Sequence, residues 1–187
     1  MSTNLLAQWL AEEAAVRAQT TLPCGPLPAS ESGSRPGLDV LRDMIAGRLP
    51  APPIAEAMDY LLVHVEPGEA VFQGRPTARF LNPQGGLHGG WYATLLDSAV
   101  GCAVHTTLQP GRGYTTLELK INLVRAIGPG VQLVRAEGRT IHVGRQVATA
   151  EGRLVGADGK LYAHASTTCL FFDLPDAPAG TAAQSTA

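Results

Sequence analysis

The sequence predicts an α+β fold in which a curved antiparallel β-sheet wraps around one central α-helix. An almost wholly apolar segment, residues 88–108, follows two strand-like runs and precedes four more. The last four runs are separated by short turn signals and not by helices, as is typical of antiparallel strands. A helix that is apolar nearly all round must be covered nearly all round, and a curved sheet together with a partner subunit would provide that cover.

The elements follow from periodicity and from turn residues. Apolar residues at near-helical spacing predict a helix over 4–19, and an irregular connector follows over 20–37. A second short helix is predicted over 38–47, stopped by the proline cluster at 50–53. The predicted strands are 59–66, 69–80, 114–125, 130–142, 145–156 and 160–172. The chain is therefore divided into an N-terminal helical extension and Pro-rich connector (1–53), one compact domain (54–173) and a disordered tail (174–187).

The composition is that of an ordinary globular domain of 187 residues, with 45% hydrophobic and 16% charged residues. The net charge is −2, so neither a nucleic acid nor a membrane surface is expected as a partner, because both need clustered Lys and Arg. Cys24, Cys102 and Cys169 have no CxxC spacing, which indicates reduced thiols and no disulfide or zinc site. We expect a cytoplasmic protein, since the N-terminus lacks the basic region of a secretory signal.

The start of the central helix is rich in glycine. Residues 85–90 are glycines interrupted only by Leu87 and His88, where helices usually carry a Ser, Thr, Asp or Asn cap. We therefore expect the first N–H groups of the helix to have no side-chain acceptor close in sequence. Such donors, at the positive end of a helix, suit a carbonyl oxygen that becomes an oxyanion. The alternative is a plain glycine-rich turn whose donors bind water.

Asp97 stands out because the other residues of the helix are almost all apolar or small. An unpaired buried carboxylate is costly, so Asp97 either pairs with Ser98, Thr94 or a strand backbone, or is kept for chemistry with a raised pKa. His88 lies nine residues earlier, on the opposite face of the helix and about 13 Å away along its axis. The two cannot share one site within one subunit, so a catalytic role for both implies a dimer.

These residues resemble a known family. Asn82, the His88-Gly89-Gly90 run and Asp97, followed by a strand that begins Thr115-Thr116-Leu117-Glu118-Leu119, resemble the hotdog-fold thioesterases of the phenylacetic acid degradation type, relatives of the 4-hydroxybenzoyl-CoA thioesterases. The resemblance covers roughly residues 54–173. It implies a homodimer or a dimer of dimers (homotetramer) that hydrolyses a medium-chain or aryl acyl-CoA. No cofactor is implied, because coenzyme A is part of the substrate.

The resemblance also implies a set of roles. Asn82 would position the substrate or the attacking water, and His88 would support the turn in which the Gly89 N–H polarises the thioester carbonyl. Asp97 of the neighbouring subunit would act as general base or nucleophile.

A Ser or Thr on the next strand would assist the water. Thr116 matches that position, but strict alternation places it on the polar face with Glu118 and Lys120. Thr115, or a local bulge, is therefore left open as an alternative.

The remaining expected contacts with substrate are at Gly90, Thr115 and the turn Gly144-Arg145. This turn resembles the family's coenzyme-proximal turn, and Arg145 is a candidate for a CoA phosphate, or else a solvated turn residue.

Two rival functions stay open. One is a dehydratase or hydratase on the same fold, although its Asp followed five positions later by His is absent here. The other is a non-catalytic acyl-CoA-binding module, which has no need for a carboxylate at position 97.

Overall fold

Six antiparallel strands form one sheet around a long apolar helix in the computed structural model, which describes residues 2–28, 30, 31 and 33–174, with side chains from residue 4. The helices are α1 (Ser2–Gln19), α2 (Gly37–Ile45), α3 (Pro53–Ala57) and α4 (Gly89–His105). The strands are β1 (Tyr60–Glu66), β2 (Glu69–Gly74), β3 (Arg112–Leu123), β4 (Val134–Val143), β5 (Val147–Gly156) and β6 (Leu161–Asp173). The strand order is β1-β2-β4-β5-β6-β3. The predicted fold class is confirmed.

Helix α4 is packed closely against the concave side of the sheet because small residues line its contact. A Cβ atom at Gly138 in β4 would lie 2.2 Å from the carbonyl oxygen of Ala99, so only glycine permits this approach. Leu95, Leu96 and Val100 on the buried side of α4 are fully shielded from solvent. Inward-facing residues of β4, β5 and β6 complete the core, since alternate residues of a strand share one face.

The two edges of the sheet differ. At one edge, helix α2 packs against β1 and also contacts the last turn of α4. At the other edge, β3 pairs only with β6 within the protomer. Leu117 and Leu123 of this edge strand are 59% and 53% exposed. A long, apolar edge strand of this kind is normally covered or paired in the native assembly.

The N-terminal helix α1 lies on the outer face of the sheet. Glu13 of α1 is buried and accepts hydrogen bonds from Arg17 (2.7 Å), Arg75 (2.7 Å) and Gln73 (3.0 Å). Gln73 of β2 is fully buried although it points outward, because α1 covers it. A buried carboxylate is tolerated when it is paired and hydrogen-bonded, and here three donors surround it.

Two sequence expectations about the elements were wrong in detail. The second strand ends at Gly74 and not at residue 80, because Pro76 has no N–H for the ladder and a short 3-10 helix, Ala78–Phe80, follows. The proline cluster stops α2 but also begins α3, with Pro53 in the first turn, where its missing N–H costs nothing. The tail from residue 175 lies outside the described residues. No helix in the described part of the chain is long and apolar enough to cross a membrane.

Candidate active site

Asn82 organises the loop that leads into α4. Its Oδ1 accepts hydrogen bonds from the backbone N–H groups of Gln84 and Gly86, both at 3.0 Å. Its backbone N–H donates to the Gly86 carbonyl at 2.7 Å, and Gly85 in the turn has φ = +80°. Because Oδ1 is used within the loop, the Nδ2 group is the end of the side chain that remains available as a donor.

His88 caps α4, which corrects the expectation that no side chain near the helix start accepts its N–H groups. The Nδ1 atom of His88 accepts from the N–H of Gly90 at 2.9 Å. The neutral ring therefore carries its proton on Nε2. Gly90 is thereby removed as a free donor, whereas the N–H of Gly89 bonds to no other residue in the described part of the chain. One backbone donor, not several, remains at the start of α4.

Asp97 lies on the stripe of α4 that faces the gap between the two sheet edges. The carboxylate is exposed in the single protomer, so the burial expected for this acid is not found within one subunit. Its surroundings are nevertheless apolar enough that partial burial raises the pKa of Asp97, and a hydrogen bond from Thr116 opposes this rise. Ser98 and Thr94 are not its partners, because their hydroxyls donate to the carbonyls of Thr94 and Gly90, both at 2.9 Å.

A β-bulge in β3 places Thr116 beside Asp97. Thr116 pairs with Cys169 of β6, but Glu118 pairs with the very next residue, Thr168, so the register shifts by one at Leu117. Cys169 is fully buried and faces α4, and Thr116 shares that face. Thr115 pairs with Leu170 and points to the opposite side of the sheet, away from Asp97. The sequence left two possibilities open, namely Thr115 in this role or a local bulge that turns Thr116 inward. The structure contains the bulge.

Within one protomer the candidate residues form two separate groups. Asn82, His88 and Gly89 lie at the start of α4, and Asp97 with Thr116 lies roughly 12 Å further along the helix axis. The β4–β5 turn with Gly144 and Arg145 lies elsewhere, at the Arg112 end of β3. Arg145 is exposed, and its backbone carbonyl oxygen accepts a hydrogen bond from the Arg112 side chain at 2.9 Å.

Two residues near Asp97 were missed by sequence reasoning. Cys102, five residues later on α4, has a thiol pKa raised to about 12 by burial and by the Asp97 charge, so it stays protonated. Tyr114 is inward-facing on β3, and burial raises its pKa well above the usual range, with the charge of Asp97 adding to the effect. The signal for Tyr114 was available, because it lies two residues before Thr116 on the same face of the strand. In the described residues, no three His, Cys, Asp or Glu side chains are grouped as metal ligands.

The chain is similar in sequence and fold to several known proteins. Residues 84–163 match the profile of the family described as the Thioesterase superfamily. A protein of Saccharolobus solfataricus, named as a candidate esterase, is 31% identical over 112 residues, which are 60% of this chain and 78% of that protein. The 1,4-dihydroxy-2-naphthoyl-CoA hydrolase of Listeria monocytogenes is 29% identical over 108 residues, 58% of this chain and 86% of that enzyme. The solved structure of a variant of the phenylacetic acid degradation protein from Thermus thermophilus has a TM-score of 0.58 and 31% identity, covering 63% of this chain and 97% of that one.

Proposed function

The chain belongs to the thioesterase superfamily, and on that premise we propose that it hydrolyses the thioester of a medium-chain or aryl acyl-CoA to the free acid and coenzyme A. Membership makes it a thioester hydrolase with the hotdog fold. The aryl alternative is supported by two relatives: one is named for an aromatic acyl-CoA, and the other for phenylacetic acid degradation. A single observation supports this mechanism, namely the bulge in β3 that turns Thr116 towards α4, on the side where Asp97 lies.

Asp97 is the proposed base. A carboxylate with a raised pKa removes a proton from water more readily than an ordinary Asp does. The Thr116 hydroxyl beside it would hold that water in line with the carbonyl carbon. Water supplies the hydroxyl that forms the new C–O bond, the C–S bond breaks, and the proton taken by Asp97 passes to the departing thiolate. A thioester is already activated, so no Ser-His-Asp triad is needed.

The carbonyl oxygen would accept a hydrogen bond from the Gly89 N–H. This is the donor left free at the positive end of α4, because His88 takes the N–H of Gly90 for itself. One correctly placed oxyanion donor is worth about 10²–10³ in rate. The Nδ2 group of Asn82 lies in the same loop and would position the thioester against that donor.

Each site is proposed to be shared between two subunits, because the two groups of residues cannot meet in one. Pairing the β3 edges antiparallel about a two-fold axis would bring the Leu123 end of each strand towards the partner's half with Thr116 and Asp97. Gly89 lies at this end, since a Cβ atom there would be 3.1 Å from Leu123. The same pairing would cover the exposed leucines of the β3 edge and the exposed Asp97 stripe.

The test is hydrolysis of acetyl-, octanoyl-, palmitoyl-, benzoyl- and phenylacetyl-CoA, followed by release of the CoA thiol. We expect activity on the octanoyl or aryl thioesters, and a loss of about 100-fold or more for Asp97→Asn. Asn82→Ala should reduce the rate less, because the base remains. Asp158→Asn, which changes an exposed turn carboxylate paired with Lys160, is the matched control.

Wild-type turnover by Asp97→Asn would refute the assignment of the base. Binding of acyl-CoA without release of thiol would instead identify a non-catalytic acyl-CoA-binding module. Addition of water to an enoyl-CoA double bond would identify the hydratase alternative.

A further inference from the structure

Tyr114 borders the Asp97 site on the side of the C-terminal half of α4. It pairs with the inward-facing Phe171, so its ring lies on the same face of β3 as Thr116, roughly 7 Å away along the strand. A Cβ atom at Gly101 would be only 3.1 Å from the Tyr114 hydroxyl. Gly101 is one helical turn after Asp97, on the same side of α4. The phenol therefore packs against α4 one helical turn beyond the proposed base.

Behind the ring lies a cavity of about 210 Å³. Tyr114 and His105, whose rings meet edge to face at 5.6 Å, form the wall towards Asp97. The apolar walls on the far side are formed by Leu27, Val40, Leu108, Phe172 and Leu174.

The N-terminal segment holds this far wall in place. The N–H of Gly37 donates to the carbonyl of Leu108 at 3.0 Å, and the N–H of Gly111 donates to the carbonyl of Gly33 at 2.7 Å. A Cβ atom at Gly37 would lie 2.0 Å from the carbonyl oxygen of His105, so the segment packs directly on the end of α4. The extension therefore closes one end of the central helix.

The basic groups around the cavity are already paired or neutral. Arg35 is paired with Glu31 at 3.4 Å and with Asp43 at 2.6 Å, and Arg112 is paired with Asp173 at 3.3 Å. Burial lowers the pKa of His105, so its ring is neutral at pH 7. The basic groups that line the space are thus already paired or neutral, which does not suit a phosphate. Hydrocarbon suits the apolar far wall.

We propose that Tyr114 sets the acyl-chain length accepted at the Asp97 site, by separating this site from the cavity that the N-terminal segment lines. The proposal rests on the acyl-CoA thioesterase activity proposed above and names the specificity residue of that site. With tyrosine present, the acyl group ends at the phenol. With a smaller residue, the distal carbons of a longer chain enter the cavity.

The experiment compares kcat/KM for straight-chain acyl-CoAs from butanoyl to hexadecanoyl in four proteins: wild type, Tyr114→Leu, Tyr114→Phe and the double variant Tyr114→Leu/Val40→Phe. We expect Tyr114→Leu to raise the ratio of kcat/KM for hexadecanoyl-CoA to that for octanoyl-CoA by at least tenfold. A tenfold change needs the burial of only about two further methylene groups. Tyr114→Phe keeps the ring and should keep the wild-type ratio, and Val40→Phe should fill the cavity and cancel the gain.

A second readout is independent of hydrolysis. The thioether hexadecyl-CoA cannot be hydrolysed, and calorimetry should find that Tyr114→Leu binds it at least tenfold more tightly than wild type, with octyl-CoA unchanged. Tyr114→Val, whose β-branched side chain suits a strand, replaces Tyr114→Leu if the latter does not fold.

The outcomes separate the two proposals. If wild type hydrolyses no acyl-CoA, the proposed function is wrong, and hexadecyl-CoA binding still decides the role of Tyr114. If a folded small variant changes neither the kcat/KM ratio nor hexadecyl-CoA binding, Tyr114 does not limit chain length. The same conclusion holds if Val40→Phe leaves the gain of Tyr114→Leu intact.

Discussion

Replacing Gly89 by proline should abolish the proposed carbonyl donor with little disturbance of the backbone. Gly89 is the first residue of α4, where proline is favoured because its N–H has no intrahelical acceptor. The residue before a proline must be extended, and His88 already has φ = −66° and ψ = 132°. Proline therefore removes the Gly89 N–H and keeps both the helix start and the His88 cap.

The expected loss follows from the number of donors that remain. Gly90 already donates to His88, so no second N–H in this turn can replace that of Gly89. Removing one oxyanion donor costs roughly 2.7–4 kcal/mol, which corresponds to about 10²–10³ in kcat. Because the donor acts mainly on the charge that develops in the transition state, KM should change much less than kcat.

The assay is steady-state release of CoA thiol at saturating substrate, with circular dichroism and a melting curve for each variant. Gly89→Ala is the matched control, since it adds the same Cβ atom next to Leu123 and keeps the N–H. We expect Gly89→Ala to retain most of the wild-type kcat. Equal losses in the two variants would mean that the added carbon, and not the missing donor, causes the effect, and the carbonyl-binding role of Gly89 would then be wrong.

Three further predictions test other parts of the molecule. Thr116→Val removes the hydrogen bond that lowers the pKa of Asp97, so the acid limb of the kcat–pH profile should move to higher pH. The value of kcat should fall by about tenfold, which is the low end for the loss of a hydrogen bond to a charged group at an exposed site. Thr115→Val, on the opposite face of the strand, should match wild type. Glu13→Ala should lower the free energy of unfolding by about 2 kcal/mol in urea titrations, because Gln73 loses a buried acceptor while the half-exposed arginines can turn to water. An unchanged midpoint would mean that the hydrogen bonds of Glu13 add nothing to stability. Mixing inactive Asp97→Asn subunits with inactive Asn82→Ala/Gly89→Pro subunits should partly restore activity after subunit exchange, since one of the two sites in each heterodimer carries neither lesion. Continued inactivity after verified heterodimer formation would exclude shared sites.

The central helix and the positions of the strands along the chain could be predicted because they depend on the local hydrophobic pattern. The run at 88–108 is apolar over most of its surface, so the sequence favours a fold that surrounds most of it, and α4 occupies residues 89–105. In the later strands apolar and polar residues alternate, and glycine-containing turns separate one strand from the next. Strands β3 to β6 each lie within a few residues of the predicted runs. Strand ends were less predictable, because Pro76 ends a ladder that the β-propensity of its neighbours would have continued.

The site was harder to predict because its geometry depends on single irregular residues. The bulge at Leu117 reverses which threonine faces α4, and no local pattern marks it, since 115–123 reads as one unbroken alternation. The cap of α4 is an imidazole at a position where the usual caps have short side chains, so the hydrogen bond that occupies the Gly90 N–H could not be expected from the residue types alone. Both features decide which backbone donor and which hydroxyl can take part in the chemistry.

The exposed stripe of α4 is suited to the subunit contact proposed for Asp97. Thr94 and Ser98 on this stripe already donate to carbonyls of their own helix, and Tyr60 also hydrogen-bonds Ser98 at 2.9 Å. A partner can therefore cover these hydroxyls without leaving them unpaired. Asp97 differs from Thr94 and Ser98. A partner would displace the water around its carboxylate, and among the described residues Thr116 is the side chain that could still donate a hydrogen bond to it. Covering the stripe would thus raise the pKa of Asp97 further and leave its neighbours unaffected, so that assembly itself would tune the proposed base.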